Sequence, residues 1–156
     1  MNMGKIPSTL AKVLLVDDNQ AEIVLATYLL RKESVHLNLS SLQDGEEVIS
    51  YLLQQVREST LPDLVLLDIN MPTMNGKEVL SKMMRDTSLK DIPVFMCSGS
   101  DAPRDEEESK GLGAEGYIVK PLTFEKLSNA VSKLDQLRFH EDKGDKYLYR
   151  VNGDNS

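Results

Sequence analysis

The amino-acid sequence predicts an α/β fold: a doubly wound sheet of five parallel strands with helices on both faces. Two observations carry that prediction. Short apolar runs such as Val13–Val16, Leu64–Leu67, Ile92–Cys97 and Tyr117–Val119 recur along the chain, each closed by turn or polar residues. They are too short for buried helices, so they read as strands covered on both faces, as in a parallel sheet. Between them lie stretches with apolar residues at helical spacing, so that strand and helix alternate five times. Right-handed crossovers then place the helices on both faces of the sheet.

Residues 1–11, with Gly, Pro, Ser and Thr and little periodicity, read as a flexible lead. Val13–Val16 is the first strand, followed by Asp17 and Asp18, and Asn19 suits a helix N-cap. Ile23, Ala26 and Leu30 then fall on one face of a helix over 21–31. His36–Leu42 is a short strand, the weakest of the five. After the turn at Asp44-Gly45, Val48, Ile49, Leu52, Leu53 and Val56 mark an amphipathic helix. Leu64–Leu67 is the central strand and ends on Asp68; Met71-Pro72 and Asn75-Gly76 turn the chain at once. Val79, Leu80, Met83 and Met84 line the next helix, and Ile92–Cys97 forms the fourth strand, ending at Ser98-Gly99-Ser100. The segment 101–113 holds Asp105-Glu106-Glu107-Glu108 and few apolar residues, so a helix there buries little and is easily rearranged. Tyr117–Val119 is the fifth strand, closed by Lys120-Pro121, and Phe124, Leu127, Val131 and Leu134 mark the last helix.

At 156 residues one domain is expected, a core over 12–138 followed by a polar C-terminal extension over 139–156. Within that extension Tyr147, Leu148, Tyr149 and Val151 form an apolar and aromatic cluster, which favours packing on the domain or on a second subunit. The net charge of −7 argues against binding nucleic acid through its phosphates. The single cysteine, Cys97, cannot pair within the chain, which suits a reducing, cytoplasmic setting. No stretch has the length of a signal peptide's apolar region or of a membrane span, so no membrane partner is expected.

Chemistry gathers where the strands end. Asp17 and Asp18, Asp68, Ser98 and Lys120 all follow predicted strands, and ligands of open α/β sheets sit outside those carboxyl ends. Three carboxylates on one edge repel one another unless a cation joins them, and hard oxygen donors suit Mg²⁺. A lysine and a hydroxyl beside them suit a phosphoryl group arriving at Asp68, whose carboxylate is the candidate nucleophile. Each feature has an ordinary structural reading as well: acidic pairs make loops, and Ser98 can bond nearby backbone. Their shared position at strand ends favours the site.

The pieces LLVDDN, LVLLDINMPTMNG, PVFMCSGS and GYIVKPL, in this order, resemble the receiver domain of two-component response regulators. The resemblance covers about 12–137 and implies a flavodoxin-like strand order of 2-1-3-4-5. It implies that Asp68 accepts phosphate from a histidine kinase or phosphotransfer protein. Asp17, Asp18, Asp68 and the backbone carbonyl of Asn70 would hold Mg²⁺, Ser98 would supply the moving hydroxyl, and Lys120 the cationic partner. Tyr117 matches the switch aromatic, Lys120-Pro121 a bond that is usually cis, and Asn70 and Ser100 the positions that tune phosphate lifetime. Two departures stand out: Ser98 where Thr is commoner, and Gly99 in place of the usual Ala.

A haloacid-dehalogenase phosphatase shares the Asp, Ser/Thr, Lys and Mg²⁺ inventory, but there the nucleophile comes first in an Asp-x-Asp context and the acidic pair last. An inert receiver usually loses an acid or the lysine, and none is lost here. A nucleic-acid-binding regulator needs an effector region for which too few residues follow the last helix. Neither His36 nor His140 stands in the context of a phosphodonor. The expectation is a stand-alone, phosphorylatable receiver acting on a downstream protein target, with a homodimer allowed because such extensions often pair.

Overall fold

The computed structural model describes residues 9–100 and 102–151. Residues 1–8 of the expected lead, Asp101 and the end of the extension over 152–156 lie outside the described residues. Among the described residues thirteen elements follow one another: β1 (Lys12–Val16), α1 (Gln20–Lys32), β2 (Val35–His36), β3 (Asn38–Leu42), α2 (Gly45–Glu58), β4 (Leu64–Asp68), α3 (Gly76–Met84), β5 (Val94–Ser98), α4 (Pro103–Gly111), β6 (Gly116–Val119), α5 (Phe124–Val131), β7 (Leu137–Asp142) and β8 (Asp145–Arg150).

Five strands form one sheet in the order β3-β1-β4-β5-β6, every pairing parallel. Counted among themselves these strands run 2-1-3-4-5, the order implied by the resemblance. Successive strand residues point to opposite faces, and here both faces are covered. Leu15, Leu64, Leu66, Phe95 and Ile118 meet Ile23, Ala26 and Leu30 of α1 and Leu127, Ala130 and Val131 of α5. Leu14, Val16, Val65, Leu67 and Met96 meet Val48 and Leu52 of α2 and Val79, Leu80 and Met83 of α3. All five residues of β4 are buried, which is why the central strand reads as an unbroken apolar run ending on a carboxylate.

The helix starts are fixed by side chains that take up orphan N–H groups. Asn19 accepts from the Ala21 N–H, Asp44 from Glu46 and Thr123 from Lys126. Asn75 and Glu78 form a reciprocal capping box at α3. The exception is α4, which starts on Pro103 without a side-chain cap and buries only Ser109. Charge anchors it instead: Lys77 of α3 pairs with Asp105 at 2.8 Å and also with Glu108.

Three expectations need correction. The strand read over 36–42 divides: Val35 and His36 pair with β8, whereas Asn38–Leu42 pairs with β1. The chain changes sheets at Leu37, which nevertheless packs on the same apolar core as Leu39. Over its described residues the extension is folded, as its apolar cluster favours, but the boundary after Arg138 cuts through β7. β7 and β8 form an antiparallel hairpin whose turn, Lys143-Gly144, has positive φ at both residues, as a two-residue type I′ turn requires. Leu137 and Leu148 are fully buried, and Phe139 meets Phe124 edge to face at 5.1 Å between ring centres. With β2 the hairpin makes a second, three-stranded sheet, tied further by the Ala11 N–H donating to the Leu148 carbonyl at 2.8 Å. The apolar cluster at Tyr147–Tyr149 therefore packs on its own domain, alternating between core and surface. The last helix also stops earlier than its apolar spacing suggests, at Val131, and Leu134 reaches the core from the turn beyond it.

Candidate functional site

The carboxyl ends of β1, β4, β5 and β6 meet along one edge of the main sheet. Asp17 follows β1 directly, and Asp68 and Ser98 are the last residues of β4 and β5. All three side chains are buried, while Asp18 is exposed. The chain turns sharply after Asp68, and the Gly76 N–H returns to the Ile69 carbonyl at 2.9 Å. Only glycine fits there, because a Cβ on Gly76 would lie 2.2 Å from the Asp68 carbonyl oxygen.

One oxygen from each of Asp17, Asp18 and Asp68 lies within 4.8 Å of the others. The Lys120 ammonium reaches into this group, 3.0 Å from Asp17 Oδ2 and 3.3 Å from Asp68 Oδ1. Asp17 Oδ1 also accepts from the Asn19 N–H at 2.9 Å, which fixes the carboxylate in place. The Asn70 backbone lies beside the Asp68 carboxylate.

The electrostatics follow from burial and crowding. Burial pushes the Asp68 carboxyl up to about 6; Lys120 opposes the rise and the neighbouring Asp17 adds to it. Burial alone works against the charge on Lys120, but the hydrogen bond to Asp17 and the charges of Asp68, Asp17 and Glu22 outweigh it and raise its pKa. Cys97, one residue before Ser98, is a core thiol that burial pushes up to about 12, which makes it inert. Three carboxylates facing one ammonium leave excess negative charge, and the donors are all oxygen. This edge fits a small, hard divalent cation.

The Ser98 hydroxyl accepts from the Ser100 N–H at 3.3 Å. Tyr117, half-buried in β6, donates its hydroxyl to the Ser100 carbonyl at 2.6 Å. The two side chains thus hold opposite ends of one residue. Lys120-Pro121 is a cis peptide bond. The structure therefore brings together Asp17, Asp18, Asp68 and Lys120, with Asn70 and Ser98 beside them and Tyr117 linked through Ser100. Glu22, whose Oε1 lies 3.4 Å from the Lys120 ammonium, was not legible as a site residue. An acid in the first turn of a helix is an ordinary feature, and only the fold brings it to Lys120.

Residues 13–132 match the family model described as the response regulator receiver domain. The chain belongs to the receiver domain family. This receiver is 32% identical over 125 residues to a probable methanogenesis regulatory protein, FilR2, of Methanothrix harundinacea, covering 80% of this chain and 81% of that protein. It is 31% identical to the response regulator Rcp1 of Synechocystis, covering 79% of this chain and 85% of Rcp1. The solved bacteriophytochrome response regulator RtBRR superposes with a TM-score of 0.70 at 31% identity, covering 81% of this receiver and 79% of RtBRR. Rcp1 itself has been solved in a Mn²⁺-bound form, which matches with a TM-score of 0.61 at 32% identity, over 75% of this chain and 86% of that one. Among the described residues, no helix of this receiver is long and apolar enough to cross a membrane.

Proposed function

We propose that this receiver accepts a phosphoryl group on Asp68 from a histidine kinase or phosphotransfer protein, with Mg²⁺, and signals to a downstream protein through the altered surface. The observation that carries the reading is the Asp68 carboxylate, buried at the sheet edge between the acidic pair and Lys120. Asp17, Asp18, Asp68 and the Asn70 carbonyl are the ligands for the metal, which supplies neutralising charge for the phosphoryl oxygens. An Asp68 oxygen attacks phosphorus, the bond from phosphorus to the donor imidazole nitrogen breaks, and that nitrogen keeps the electron pair. Lys120 holds a second phosphoryl oxygen by its ammonium, and the Ser98 hydroxyl donates to a third.

Incubation with acetyl phosphate tests this chemistry. Intact mass is expected to show one phosphoryl group per chain, dependent on a divalent cation, with peptide mapping placing it on Asp68. Label on another residue, or equal labelling after chelation, overturns the mechanism.

The same geometry suggests how the change spreads. When Ser98 turns to the phosphoryl group, its hydroxyl leaves the Ser100 N–H, and Tyr117 holds the other end of that residue. Tyr117 then moves inward, and α4, with few apolar anchors, follows. Phosphate shifts this equilibrium by its different affinity for the two states, so the response is graded. Ser98→Ala is expected to leave Asp68 able to accept phosphate while silencing the shift changes at Tyr117 and over 102–113. Amide spectra of phosphorylated wild type and variant check this. Wild-type changes confined to the loops touching Asp68 exclude this route.

A further inference from the structure

Lys120 is held by three carboxylates, and one of them lies outside the group that fits the metal. Glu22 stands in the first turn of α1, three residues past the cap Asn19, with Oε1 3.4 Å from the ammonium. From the sheet side the same nitrogen meets Asp17 at 3.0 Å and Asp68 at 3.3 Å. The ammonium donates a hydrogen bond to Asp17, while Asp68 and Glu22 act on it as neighbouring charges. The Lys120 side chain is 16% exposed and that of Glu22 32%, so water screens this pair less than a surface pair.

We infer that Glu22 is a positioning residue for Lys120, drawing the ammonium toward α1 and weakening its hold on a phosphoryl oxygen at Asp68. The inference rests on the reading of Asp68 as phosphoacceptor. A phosphoryl oxygen at Asp68 competes with these carboxylates for the position and charge of the ammonium. Asp17 is tied to the Asn19 N–H and buried, and Asp68 carries the phosphoryl group itself, so Glu22 is the carboxylate that pulls the ammonium away from the sheet edge. Its charge also opposes the incoming dianion. The site then trades affinity for ready release.

The ordinary alternative is that Glu22 only complements the positive end of the α1 dipole. That role acts on folding and leaves anion affinity unchanged, so one experiment separates the two. The full chain is compared as wild type, Glu22→Gln and Glu58→Gln; the last removes the same charge at the far end of α2. Beryllofluoride, a phosphoryl mimic, is titrated in the presence of Mg²⁺ and followed by amide shifts, with the thermal midpoint measured alongside. Glu22→Gln is expected to bind the mimic roughly three- to tenfold more tightly, the size of one unit charge acting across a partly screened site. Glu58→Gln is expected to match wild type within about twofold. Equal affinity in all three, or a change in thermal midpoint alone, overturns the inference and leaves the phosphoacceptor reading intact. A wild type that neither binds the mimic nor labels at Asp68 overturns that reading, and this inference with it.

Discussion

Asp68→Asn is expected to abolish phosphoryl labelling and, without metal, to make the fold more stable at neutral pH. The first effect follows because an amide is neither an anionic ligand nor a nucleophile toward phosphorus. The second follows from the direction of the Asp68 shift. Burial raises its pKa from the ordinary 3.8 to about 6, so the fold favours the protonated carboxyl. That contribution is fully present below about pH 4 and is lost as pH rises through about 6. At pH 7 the wild type holds an ionised carboxylate in a site that resists the charge, at a cost on the order of 1–3 kcal/mol. Asparagine removes the charge and keeps the size. Denaturant melts of both proteins in chelator, at pH 4 and pH 7, check this: the difference between them should be large at pH 7 and shrink at pH 4. Added Mg²⁺ is expected to narrow the gap at pH 7 by stabilising the wild type more. A variant less stable than wild type at pH 7 in chelator would show that the Lys120 ion pair outweighs the burial of charge.

The residues behind that prediction were legible before any coordinates. Strands covered on both faces read as apolar runs, so the ends of β1, β4, β5 and β6, and with them Asp17, Asp68, Ser98 and Lys120, could be marked directly. The sheet order was not read from the pattern; it came with the resemblance. What escaped depends on partners distant in the chain. Two residues, Val35 and His36, carry no periodicity, and their pairing with Lys146 and Tyr147 is invisible from local sequence. Leu148 sits between tyrosines in β8 and reads as a cluster, although the alternation across that strand puts it inside and Tyr147 and Tyr149 toward the surface. Glu22 escaped for a similar reason, since its partner is Lys120 on a different element. Local chemistry marks the ends of strands well and marks what crosses between elements poorly.

The hairpin supplies the other large effect. Ending the chain after Arg138 removes β8 and most of β7, and with them the buried Leu148 and the Phe139 ring that lies edge-on against Phe124. Val35 and Leu137 lose their cover, and β2 loses its only strand partner among the described residues. Each fully buried aliphatic or aromatic side chain contributes about 1.5–3 kcal/mol, and the truncated chain regains the entropy of the residues no longer ordered. The net expectation is a loss of about 2–4 kcal/mol, which lowers the thermal midpoint by roughly 5–15 °C for a domain of this size. Labelling at Asp68 is expected to survive below that midpoint, because Asp17, Asp18, Asp68, Ser98 and Lys120 all precede the cut. Sedimentation of both forms locates the partner. Packing within one chain leaves the number of chains per particle unchanged, whereas a dimer that falls to a monomer on truncation would move the hairpin's main contact onto a second subunit. An unchanged thermal midpoint would mean that the burial of Leu148 and Phe139 only balances the entropy of ordering the hairpin.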